Sequence, residues 1–144
     1  MTMRKVLIAV LVGVTLLALA KEKSSETIDQ LKARAAAADA HKQAELYAEL
    51  AERQLEAANE QYNTNVDQAK VLFEASAQSA EQASQAALDA NHKLKQTEIK
   101  LRELSHRMSD IRRTWAFEDR APLDPAIQRV EAARNKLLDR MFQK

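Results

Sequence analysis

Two of the three histidines follow a carboxylate by three residues, Asp89-x-x-His92 and Glu103-x-x-His106, and the two pairs repeat at fourteen residues. A carboxylate and an imidazole at i, i+3 share one face of a helix, and that arrangement is half of a di-iron site in helical bundles. The other half, a glutamate from each of two further helices, is not evident here. In the register derived below both histidines fall at f and both acids at c, positions that face water. His41 with Glu45 is an i, i+4 pair of the kind found on any solvated helix. The chain has no Cys, which removes a thiol nucleophile and a disulfide framework, and its single Gly13 leaves no glycine-rich loop to cradle a phosphate. No metal, cofactor or catalytic constellation is therefore expected, and an enzyme is not expected.

Without catalytic groups to place, the backbone becomes the informative part. Gly13, Pro122 and Pro125 are the only glycine and prolines in 144 residues, too little punctuation for a sandwich, a barrel or a βα fold. Alanine fills 27 positions, and with Glu, Lys, Gln, Arg and Leu it gives the composition of long helices and coiled coils. The fold class is all-α. Six aromatic residues argue against a deep globular core. The formal net charge of +1, with charged runs at 93–107 and 129–140 that mix both signs, gives no footprint for nucleic acid.

The spacing of apolar residues predicts what the helices do. From Val66 to Trp115, positions a hold Val66, Phe73, Ala80, Ala87, Leu94, Leu101, Met108 and Trp115. Positions d hold Ala69, Ser76, Ala83, Ala90, Thr97, Leu104 and Ile111. Thirteen of these fifteen are hydrophobic against 46% of the whole chain, so residues 24–117 read as a coiled-coil region. Leu94, Leu101, Leu104, Met108 and Ile111 make its strong, self-associating part, while the alanines at 80–90 bury little surface. Ser24 or Ser25 suits the first N-cap. A stutter is expected between Asp39 and Gln54, where Leu46, Leu50 and Leu55 leave the heptad. Asn59, Asn63, Thr64 and Asn65 form a second weak point at which a hairpin could fold. Two architectures remain open: a self-associating rod of about 90 residues and about 135 Å, which the unbroken seam favours, or an antiparallel hairpin.

The ends differ in character from the middle. Arg4 and Lys5 precede fifteen uncharged residues at 6–20 (VLIAVLVGVTLLALA). As a helix this run reaches about 22 Å against a bilayer core of about 30 Å. It reads either as a signal-anchor, residues 1–20, that keeps the N-terminus cytoplasmic in the inner membrane, or as a signal peptide cleaved after Ala20. At the other end, residues 118–144 form a proline break followed by a short amphipathic helix. Asp124 suits its N-cap and Pro125 its first position, and Ile127, Val130, Leu137, Leu138 and Met141 give it an apolar stripe. Such a helix can pack back on the rod, bind a partner or lie on lipid.

Taken together, a basic start, one N-terminal hydrophobic segment, a long helical region and a terminal module containing Trp115-Ala116 and then residues 121–127 (APLDPAI) resemble the phage inner-membrane spanins. The resemblance implies a host-cell lysis protein that bridges the periplasm, binds a small outer-membrane lipoprotein through its C-terminus and associates with itself through the coiled coil. It also implies partner contact by Trp115, Phe117, Pro122, Leu123, Pro125 and Ile127. A secreted periplasmic coiled-coil scaffold or chaperone is the alternative.

Overall fold

The computed structural model describes residues 25–143, so the hydrophobic segment at 1–20 lies outside the described residues. Within them the protein is all-helical, with six helices: α1 (Ile28–Ala37), α2 (Ala40–Gln61), α3 (Val66–Ala90), α4 (Leu94–Thr114), α5 (Phe117–Arg120) and α6 (Leu123–Phe142). None of the described helices is long and apolar enough to cross a membrane.

Local chemistry explains each reversal. The first N-cap is Thr27, not Ser24 or Ser25, because Thr27 and Gln30 form a reciprocal capping box: the Gln30 N–H donates to Thr27 Oγ1 at 3.1 Å and the Thr27 N–H to Gln30 Oε1 at 3.0 Å. After Ala37 the chain turns, with Ala38 extended and Asp39 leading into α2, so a helix break at the edge of the interval stands where a stutter within 39–54 was expected, and α2 runs through that interval without interruption. Gln43 Nε2 reaches back to the Ala35 and Ala36 carbonyls at 3.3 Å each, satisfying the free C-terminal end of α1.

At residues 62–65 the chain folds as a hairpin, not as the favoured rod. The Asn65 side chain accepts from the Gln68 N–H at 3.0 Å and starts α3. The continuous register from 66 to 115 is broken as well. Asn91 (φ 48°) ends α3 in the left-handed region and Lys93 (φ 54°) precedes α4 in the same region. The Asn91 N–H bonds to the Leu88 carbonyl and the His92 N–H to the Ala87 carbonyl, both at 3.2 Å, which closes the α3 terminus. In a chain with no glycine after position 13, Asn is the residue best able to adopt this conformation.

These turns make two antiparallel hairpins, α2/α3 and α4/α6, lying side by side, with α1 against α2. Cross-helix partners fix the directions. Glu45 pairs with Lys93 and Glu52 with Lys100, so α2 and α4 run parallel. Arg112 with Asp124 and Glu98 with Arg134 set α6 antiparallel to α4. The heptad seam is buried as its spacing predicts, but inside one chain. Ala69, Phe73, Ala80, Ala87, Leu101, Leu104, Met108, Ile111 and Trp115 all join one core with Ala51, Leu55 and Ala58 of α2 and Ile127, Val130 and Leu137 of α6.

The final helix begins two residues earlier than expected. Leu123 is its first residue, Pro125 occupies its first turn, and Asp124 pairs with Arg112 at 2.6 Å instead of capping. Proline is tolerated there because first-turn N–H groups have no helical partner. Its stripe packs back onto the bundle, with Ile127, Val130 and Leu137 buried and Leu138 and Met141 half-buried.

Candidate functional site

The residues with most to offer a partner gather at the end of the bundle where α2 meets α3 and α4 leaves for α6. Tyr62, the C-cap of α2, stacks its ring on Trp115 with centroids 4.3 Å apart and planes 11° apart. Phe73 approaches the same indole from α3 at 5.7 Å and 59°. Trp115 is 1% exposed, and its Nε1 has no hydrogen-bond partner among the described residues.

Polar groups then hold the chain break against this stack. The Tyr62 hydroxyl donates to Asp119 Oδ2 at 2.8 Å and accepts from the Ala116 N–H at 2.7 Å. Lys70 Nζ lies 3.3 Å from Asp119 Oδ1. Arg120 donates to the Trp115 and Arg113 carbonyls at 2.9 Å each, capping the carbonyl end of α4. These contacts also shift acidities. The Tyr62 hydroxyl bond, opposed by desolvation and assisted by Lys70, holds the Asp119 carboxyl below its usual value. The Ala116 N–H pulls the Tyr62 phenol down, but desolvation and the Asp119 carboxylate outweigh it and leave the phenol above its usual value.

The six residues expected at a partner surface divide evenly. Trp115, Leu123 and Ile127 are buried in the core, where they fasten α4 to α6. Phe117, Pro122 and Pro125 are exposed, and Phe117 at 83% is the most exposed large apolar side chain among the described residues. Of the five expected to self-associate, Leu101, Leu104, Met108 and Ile111 are buried within the chain and Leu94 is half-buried against the same core. Their seam is occupied by α6 and α2 of the same chain.

The histidine pairs come apart differently. Glu103 and His106 are both exposed on α4, while His92 leaves the helix and sets its ring edge-on to His41, centroids 4.6 Å apart. Among the described residues no group of three His, Cys, Asp or Glu could hold a metal ion. A groove of about 350 Å³ between α2 and α4 has Ala44, Ala48 and Thr97 in its lining and is crossed by the Glu45–Lys93 and Glu52–Lys100 pairs, and it presents no convergent set of buried polar groups.

Sequence reasoning missed Tyr62, Lys70, Asp119 and Arg120. Tyr62 and Asp119 are 57 residues apart, and only the double reversal of the chain brings them together. The available signal was a Tyr directly before an Asn-rich turn. No family model matches this chain, and no curated protein or solved structure matches it either.

Proposed function

We propose that this chain is a non-enzymatic interaction protein on the export side of the inner membrane, anchored by residues 1–20, and that it acts as a phage inner-membrane spanin. In this reading Phe117, Pro122 and Pro125 meet the outer-membrane lipoprotein, and the closed bundle is the form that precedes lysis. The observation that carries the reading is the tip. Phe117, the most exposed of the three large apolar side chains left in water among the described residues, stands beside two exposed prolines, the surface expected of a docking element. Self-association through Leu101, Leu104, Met108 and Ile111 then belongs to an opened form, because those side chains are occupied while the bundle is closed.

The test is lysis of cells whose peptidoglycan has been degraded, with the chain and its lipoprotein partner supplied together. Phe117→Asp should abolish lysis and Phe142→Asp, at the other exposed phenylalanine, should preserve it; full lysis by the first variant overturns the proposed contact.

The secreted scaffold reading is favoured by a different observation: the seam closes within one chain, and the core among the described residues forms from residues 44–137. Intact mass in fractionated cells separates the two. A membrane species retaining residues 1–20 supports the anchored reading, whereas a periplasmic species starting at Lys21 supports the scaffold.

A further inference from the structure

We infer that the Phe117 end of the bundle rests on the lipid surface of the membrane that holds residues 1–20. This inference depends on the anchored reading above and adds an orientation to it. The chain enters the bundle at a fixed point. Arg53 of α2 donates to the Glu26 carbonyl, and Arg34 grips the Glu26 carboxylate through two bonds of 2.9 Å. Ile28 lies in the same shallow depression as Arg53, Glu56 and Glu60. Glu26 is therefore pinned beside the second half of α2.

Chain length then limits how the bundle can stand. Five residues separate Ala20 from Glu26, and the six Cα steps span at most about 21 Å. From Arg53 to the Gln61 end of α2 is eight residues, about 12 Å, and from Arg53 to the Ala40 end is thirteen residues, about 20 Å. An upright bundle with the Phe117 end towards the membrane is within reach. The reverse pose exhausts the reach before the turn at 91–93, packed beside His41 at that end, finds any room. A bundle lying on its side, which would bring the exposed Phe142 of the opposite end down as well, is the remaining pose; the upright one is preferred because the tether's reach favours the Phe117 end, where the most exposed large apolar side chain sits. Lys70 pairs with Asp119 and Arg112 with Asp124 around it, and Arg120, which donates only to carbonyls, offsets Glu118, so the tip favours neither sign of headgroup and the fitting surface is zwitterionic lipid. Reaching a partner on the far side of the periplasm then requires the helices to part.

Because the natural chain has no Cys, single Ala121→Cys and Gln143→Cys variants of the full chain place an environment-sensitive fluorophore at either end. Each is reconstituted into phosphatidylethanolamine and phosphatidylcholine vesicles carrying a nitroxide quencher near the headgroup. The expected result is quenching several-fold stronger at 121 than at 143, falling to the level of 143 when Phe117→Asp is added. Equal quenching at both ends, or quenching at 121 that ignores Phe117→Asp, overturns the inference while leaving the anchor intact. Failure of the full chain to float with the vesicles overturns the anchored reading, and the inference with it.

Discussion

The two ends of the bundle are built from different materials. At the Phe117 end, Tyr62, Phe73 and Trp115 stack, and Asp119, Lys70 and Arg120 lock the chain break onto them. Towards the turn at 91–93, the buried residues of α2 and α3 are mostly small: Ala44, Ala48, Ala80, Ala83 and Ala87. Small side chains let backbones approach, and hydroxyls exploit that closeness: Ser76 Oγ donates to the Ala51 carbonyl at 2.6 Å and Ser84 Oγ to the Ala133 carbonyl at 2.8 Å. The lesson is one of shape against mass. The aromatic end is held by buried area, and the alanine end by a fit that has little area behind it and therefore little tolerance for change.

The largest expected effect tests the aromatic end. Trp115→Ala removes the centre of the stack and should cost about 4 kcal/mol in urea unfolding; a loss no bigger than that of a surface substitution would mean that the end is not held by its aromatics. Next, Ala87→Leu should destabilise by about 2 kcal/mol, because the added methylenes have no space between the close-packed backbones. A neutral or stabilising result would show that the alanine end has slack. Smaller still, Asn91→Ala should cost about 1 kcal/mol through its left-handed conformation, while Asn91→Gly should be tolerated, read as a pair of melting temperatures.

Acidity offers the mildest perturbation and again separates the ends. The folded value of Asp119 lies below its ordinary 3.8, so its contribution is present above that value and is lost as pH falls through the folded value. Tyr62 lies above its ordinary 10.0, so its contribution is present below that value and is lost as pH rises through the folded one. Stability measured by Trp115 fluorescence should fall at both extremes. Asp119→Asn should flatten the acid limb, and an acid limb unchanged by that variant would place the sensitivity elsewhere.

Much of this fold was legible in the residues. The scarcity of Gly and Pro dictated helices, the heptad spacing picked out the buried face from Ala69 to Trp115, and Asn63 to Asn65 and Pro122 marked two of the reversals. The spacing could not say whose surface covers that face, because a seam has the same period whether its partner is a second chain or the next helix. The reversal at 91–93 was hidden for a related reason. Leu94 continues the count from Ala87 with no slip, so the register runs through a turn that Asn91 and Lys93 make by backbone conformation alone. At the candidate site all six residues were expected at a partner surface alike, and nothing in their types separated Phe117, Pro122 and Pro125, which are exposed, from Trp115, Leu123 and Ile127, which are spent on the core.

The hairpin at 62–65 also bears on the order in which the molecule forms. α2 and α3 share the most extensive interface, and their partners lie close along the chain, so loop closure there is the least demanding step. α6 meets α3 only after α4 has been laid down, and its docking joins residues far apart in the sequence, as Ser84 to Ala133 illustrates. A chain emerging N-terminus first from the ribosome would thus have its first hairpin closed while the residues that complete the second were still to be added.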